Sequence, residues 1–122
     1  MTYEQLIPYI ELYCKAIRFE GLISEISRCV RVQMYLCGMS DEALANPVVN
    51  TICDVIAVSS IYKEIVSSVN RRSQPWKAQN AAMRWAEKVA LELMEDKSDY
   101  ESIKAKVIAD SGLDNVTESM VS

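Results

Sequence analysis

Two pairs of residues in this chain have spacings that catalytic groups use in known enzymes. Ser60 and Lys63 form an SxxK pattern, in which a lysine amine lies one helical turn from a serine and activates its hydroxyl as a nucleophile. Tyr100 and Lys104 match a tyrosine–lysine spacing of hydride-transfer enzymes. The other motifs of serine acylases and the glycine-rich loop of dinucleotide-binding folds are absent from the sequence. We therefore interpret both pairs as ordinary helix residues.

The composition limits the other kinds of catalytic site that the chain can form, because its 122 residues include no His. This excludes His-dependent nucleophile triads, His-ligated zinc and haem, and His general bases. Asp54 is the one acid inside a Val- and Ile-rich segment, where it is either partly buried or exposed on a polar stripe with Asn50. We predict that the protein is not an enzyme and has no catalytic residue, metal site or cofactor. An enzyme that uses Asp54 or the Ser60–Lys63 pair stays as an alternative.

Basic residues gather around the two tryptophans, Trp76 and Trp85. They are Arg71, Arg72, Lys77, Arg84 and Lys88. On a helix, positions 77, 84 and 88 share one face. Such a patch is suited to phosphate contacts, with Trp76 stacking on a base or packing on a protein partner. The alternative is a solvated stripe beside two core tryptophans.

The net charge of −4 gives no overall attraction to nucleic acid, but the charge is unevenly distributed. Residues 1–86 hold nine basic and eight acidic side chains, whereas residues 87–122 hold four basic and nine acidic ones. The acid is therefore concentrated at the C-terminal end. One segment of such a protein can dock on a partner while another faces nucleic acid.

The spacing of hydrophobic residues predicts an all-α, compact bundle of about five helices. Apolar side chains recur every three or four positions between the few Gly and Pro residues, which mark the breaks. A first helix starts between Thr2 and Pro8 and ends at Gly21. A second helix carries residues 23–37 and ends before Gly38. These two helices form an N-terminal helical hairpin.

Helix-capping residues mark the later helices. Ser40 starts about one helical turn, and Asn46 before Pro47 starts a long buried helix over residues 48–69. The chain restarts as a helix at Ser73. A capping box that begins at Ser98 opens the last helix, and this helix ends at Gly112.

Two segments resemble the central part of phage small terminase subunits. They are Leu12-Tyr13-Cys14-Lys15-Ala16 in a helix, and Asn46-Pro47-Val48-Val49 at the start of a long helix; the similarity covers about residues 6–66. In that family the subunit is a non-enzymatic helical oligomer that recognises viral DNA and regulates the large packaging ATPase and nuclease. The Gly-Leu-Thr-Pro segment and basic residues of the family are replaced here by Arg71-Arg72-Ser73-Gln74-Pro75-Trp76.

The resemblance implies a phage protein of DNA packaging that self-associates and contacts DNA and a large terminase subunit. Under this hypothesis we predict that the phosphate contacts come from Arg71, Arg72, Lys77 and Arg84. The alternative is a small helical protein–protein interaction or inhibitor module with no nucleic-acid binding. In that module, Trp76 and Met83 are the expected partner-binding residues, because Trp carries much of the binding energy of interfaces.

The sequence also carries expectations about domains and location. The chain begins without the basic start and apolar run of a signal peptide, and no stretch reaches the roughly 18 apolar residues of a membrane span. Its four Cys form no CxxC pair, which is typical of free thiols in a reducing compartment. We expect a cytoplasmic protein (in the host cytoplasm if viral) without a membrane partner. We expect one helical domain over 1–113 and a mobile acidic tail over 114–122.

Overall fold

The described residues of the protein, taken from a computed structural model, are 5, 7, 8, 10, 11, 21–67, 74–95 and 99–112. They form an all-α bundle, as the hydrophobic spacing predicts. Its helices are α1 (Leu22–Leu36), α2 (Asp41–Leu44), α3 (Pro47–Ser67), α4 (Pro75–Glu95) and α5 (Tyr100–Ser111). No helix among these described residues combines the length and apolarity needed to cross a bilayer.

Helix α3 lies at the centre of the bundle. Residues 55–61 are all buried, so this stretch has no exposed side. Helices α1, α4 and α5 pack around it. A helix that is apolar on every side is stable only when it is enclosed, and enclosure offsets the propensity cost of its Val and Ile residues. The predicted long buried helix is confirmed over Pro47–Ser67.

The polar side chain in the middle of α3 has a partner. Ser59 is 1% exposed, and its hydroxyl donates a hydrogen bond of 3.1 Å to the carbonyl oxygen of Ser111. Ser111 is the last residue of α5, where helix carbonyls have no partner within the helix. This bond attaches the end of α5 to the central helix.

Capping side chains fix the starts of three helices. The Ser40 hydroxyl accepts from the Ala43 N–H at 3.2 Å, and the Asn46 amide oxygen accepts from the Val48 N–H at 2.9 Å, so both predicted starts are confirmed. For α5 the predicted cap at Ser98 is wrong by one residue. The carboxylate of Asp99 accepts from the Ser102 N–H at 3.0 Å and caps the helix instead.

Glycine marks the helix boundaries, as predicted. Gly21, Gly38 and Gly112 have φ angles of 71°, 112° and 71°. At Gly38 the chain leaves α1 through a φ value that side-chain-bearing residues rarely adopt, and it turns there towards Ser40. This reversal lets α2 and α3 pack back against α1.

The N-terminal hairpin lies mostly outside the described residues. Residues 5, 7, 8, 10 and 11 are helical, Ile10 is fully buried and Ile7 packs against the core. The second helix of the predicted hairpin is α1. The rest of the first helix and the predicted tail over 114–122 fall outside the described part of the chain, and so does the predicted restart at Ser73.

Candidate nucleic-acid interface

Helices α3 and α4 form an antiparallel pair that positions the basic residues. At one end of the pair, Val48 of α3 lines the same cavity as Leu93 of α4. Farther along, the Lys63 ammonium lies 5.1 Å from the centre of the Trp85 ring. The second half of α3 is therefore beside the middle of α4. The opposite side of α4 is held by α1, where the Gln33 amide donates to the Glu87 carboxylate at 2.8 Å.

Four cations share this side of the α3–α4 pair, and we call them the basic face. They are Lys63, Lys77, Arg84 and Lys88. The three on α4 are separated by seven and four residues, which places them on one helical face over about 16 Å of helix axis. Three of the four are exposed and Lys77 is half-buried. A row of cations presents positive charge along a line, and this arrangement is suited to contacts with a polyanion.

No cation of the basic face forms an ion pair with another described residue. The ion pairs within the described ranges are Lys104–Glu101 at 3.6 Å and Lys106–Glu92 at 3.2 Å, both made by α5 lysines. The positive charge of the basic face is therefore not balanced by acids in direct contact. This distinguishes it from the α5 lysines, which have acidic partners.

A cavity of about 320 Å³ opens within the basic face, and we call it the basic cavity. Its lining residues are Ser60, Lys63, Ala81, Arg84, Trp85 and Lys88. Three of these carry positive charge and none is acidic. Ser60 is the most buried of them, at 4% exposed, and lies at the floor of the cavity.

Trp76 and Trp85 have different environments. Trp76, in the first turn of α4, is 57% exposed, and the Lys77 ammonium lies 5.7 Å from its ring centre. Trp85 is half-buried and packs against the core. The alternative of two core tryptophans is therefore wrong for Trp76. An exposed indole beside unpaired cations can stack on a base or pack on a protein partner.

Only some of the other predicted contact residues are among the described residues. Met83 is half-buried on α4 and turned away from the basic cavity, on the side nearer α1. Arg71 and Arg72 lie outside the described residues. Lys77 and Arg84 lie on the basic face, where we expected them.

Sequence reasoning did not place Lys63 on this face. The SxxK spacing identifies Lys63 only as the partner of Ser60, although the small number of residues between Ser67 and Pro75 is a signal that could have found it. In an antiparallel hairpin, residues near the end of the first helix lie beside residues near the start of the second. The structure places Lys63 beside Arg84, Trp85 and Lys88 of α4.

The two catalytic spacings have different surroundings. Ser60 and Lys63 line one cavity together with Arg84 and Lys88, and no acid is among the lining residues. Tyr100 packs against the core, and Lys104 pairs with Glu101 rather than with the tyrosine. Within the described residues, no group of three Cys, Asp or Glu side chains is arranged to hold a metal ion.

Asp54 is partly buried, which is the first of its two expected settings. It is half-buried, and its carboxylate accepts a hydrogen bond of 2.6 Å from the Ser27 hydroxyl. Asn50, one turn earlier on α3, is exposed. Asp54 therefore joins α3 to α1 instead of standing free on a polar stripe.

The described cysteines are free thiols, as expected from their spacing. Cys29 and Cys37 are half-buried and Cys53 is fully buried. Burial raises the pKa of the Cys53 thiol to about 12, because ionisation would place a charge inside the core. Cys14 lies outside the described residues.

A second cavity has the opposite charge. It measures about 740 Å³ and lies where α2, α3 and α5 begin and α4 ends. Its acids are Glu42, Asp99 and Glu101. The two cavities are thus at different places along the α3–α4 pair, one lined by cations and the other by carboxylates.

Comparison with protein-family models, with curated proteins and with solved structures finds no match to this chain.

Proposed function

We propose that this protein is a non-enzymatic, oligomerising DNA-binding protein of phage type, comparable to a small terminase subunit that recognises viral DNA and regulates packaging. The observation that carries the proposal is the basic face, whose four cations have no ion-pair partner among the described residues. Unpaired cations in a row are available to neutralise phosphates and release the counterions condensed on DNA. The adjoining exposed Trp76 adds a surface for stacking or packing.

The self-association part of the proposal is supported by exposed apolar side chains on α1 and α4. Val32, Tyr35 and Leu36 on α1 are 51%, 57% and 69% exposed, and Leu91 on α4 is 56% exposed. Exposed apolar patches on a folded domain are typical of contacts with other protein surfaces. Val32, Tyr35 and Leu36 lie on α1, away from the basic face, so a protein contact there leaves the cations accessible. Leu91 lies seven positions after Arg84 on α4 and therefore borders the basic face.

The same apolar residues favour the second candidate, a helical protein–protein interaction or inhibitor module that binds no nucleic acid. In this candidate Trp76 is the expected anchor, since its indole is large and accessible. Met83 has less accessible surface than Trp76 and contributes less. The two candidates differ in one property, affinity for a polyanion.

The test is light scattering coupled to size-exclusion chromatography, with and without a generic DNA duplex at low salt. We expect an oligomer whose mass increases with the duplex, and a smaller increase for a Lys77→Ala/Arg84→Ala variant at the same duplex concentration. The matched control is Lys104→Ala/Lys106→Ala, which removes the same charge from ion-paired α5 lysines. A monomer or dimer that ignores DNA would contradict the proposal and favour the interaction module.

A further inference from the structure

Ser60 has an unusual place for a polar side chain in the central helix. It is 4% exposed and lines the basic cavity, yet its hydroxyl forms no hydrogen bond with another described residue. Its neighbour Ser59 shows the usual arrangement, in which a buried hydroxyl donates to a carbonyl. The Ser60 hydroxyl is therefore a donor available at the floor of a cavity.

The charges around this donor favour an anionic ligand. Lys63, Arg84 and Lys88 line the cavity, and no carboxylate does. A phosphate group offers several acceptor oxygens, and its geometry matches the planar fork of an arginine as well as the point charges of lysines.

Trp85 makes one wall of the cavity and holds Lys63 in place. The Lys63 ammonium lies 5.1 Å from the Trp85 ring centre, within the range of a cation–π contact. An apolar wall also reduces the water around a bound anion, which strengthens the attraction of the cations. The cavity of about 320 Å³ has room for a phosphate together with part of the group that carries it.

We propose that the basic cavity binds a phosphate group, with the Ser60 hydroxyl donating a hydrogen bond to a phosphate oxygen and Lys63 balancing its charge, while Arg84 and Lys88 contact the adjoining phosphates of the same backbone. The inference rests on the proposed function for the source of the phosphate, which is the backbone of bound DNA. A free phosphate has the same chemistry, and the experiment separates the two sources.

The first arm titrates the protein with inorganic phosphate and follows the Trp85 indole N–H signal by NMR, assigned with a Trp76→Phe variant. Potassium chloride at equal ionic strength is the salt control. We expect saturable shifts with phosphate only, and affinity about tenfold weaker in Ser60→Ala, because the variant removes one hydrogen bond to a charged group. Ser24→Ala, an exposed site on α1, is the matched control.

The second arm measures duplex affinity in Ser60→Ala and in Lys63→Gln, with Lys106→Gln as the charge-matched control. We expect both cavity variants to bind DNA more weakly and the control to bind normally. Circular dichroism and the melting temperature verify that the variants fold, and Ala at position 60 removes a single oxygen from a helix.

The outcomes separate the two proposals. If phosphate shifts the Trp85 signal but the duplex does not bind, the cavity inference stands with free phosphate as its ligand, and the DNA-binding proposal fails. If the duplex binds with equal affinity to the wild-type protein and both cavity variants, and phosphate leaves Trp85 unchanged, the cavity inference is overturned while DNA binding stands. Equal phosphate affinity in the wild-type protein and Ser60→Ala would overturn the role of the hydroxyl.

Discussion

The salt dependence of DNA binding follows from the number of unpaired cations on the basic face. Each phosphate that a cation neutralises contributes about −0.9 to the slope of log affinity against log salt concentration. Four contacts, from Lys63, Lys77, Arg84 and Lys88, give a slope of about −3.6 per protomer. Between 50 mM and 200 mM salt the affinity should therefore fall about 150-fold.

The perturbation is the double substitution Lys77→Ala/Arg84→Ala. It leaves two cations on the basic face, so the expected slope is about −1.8 and the loss over the same salt range is about 12-fold. Fluorescence anisotropy of a labelled duplex, recorded at four or five salt concentrations, measures the slope directly. The affinity at the lowest salt should also decrease.

The control variant, Lys104→Ala/Lys106→Ala, has the same net charge as the double variant. Its substitutions remove lysines that pair with Glu101 and Glu92, so its slope should equal that of the wild-type protein. If both double variants reduce the slope equally, only net charge matters, and the assignment of the contacts to the basic face is refuted. A wild-type slope near zero would refute DNA binding itself.

Three further predictions concern stability, and each is measured by urea denaturation. Asn46→Ala removes the α3 cap and should lower the unfolding free energy by about 1 kcal/mol, whereas Asn50→Ala, at an exposed site on the same helix, should have little effect. Equal losses in these two variants would contradict the capping role. Ile56→Ala, at a fully buried site, should cost about 3 kcal/mol, and Val32→Ala about 0.5 kcal/mol or less. A small loss for Ile56→Ala would mean that α3 is not enclosed. Raising the pH from 8 to 10 should lower the unfolding free energy of the wild-type protein by about 1.3 kcal/mol more than that of the Cys53→Ala variant. The Cys53 thiol ionises in the unfolded chain, whereas burial keeps its pKa near 12 in the folded protein. The same pH dependence in both proteins would contradict this account of Cys53.

The helices could be predicted from the sequence because their boundaries depend on local chemistry. Asn46 and Pro47 determine the start of α3 through a hydrogen bond and a fixed φ angle, and neither needs a distant partner. The one-residue error at α5 has a physical reason. Ser98 and Asp99 are both good capping residues with a polar residue three positions later, so local preference does not choose between them.

The candidate site was less predictable, because it depends on which helix faces meet. The α4 part of the basic face could be found from spacing alone, but Lys63 joins it only through the packing of α3 against α4. Ser60 is a similar case. The sequence identifies it only as the serine of an SxxK spacing, and only the packed structure places it in a cavity among cations. Asp54 likewise has its partner, Ser27, on another helix.

The two cavities of opposite charge place negative and positive charge at different positions along the axis of α3. Glu42, Asp99 and Glu101 are gathered where α3 begins, whereas Lys63 and its neighbours lie about 22 Å farther along the helix axis. Such a separation is an electric dipole, and in the field of a polyanion a dipole experiences a torque before any contact is made. The protein should therefore rotate during its approach and arrive with its cations foremost.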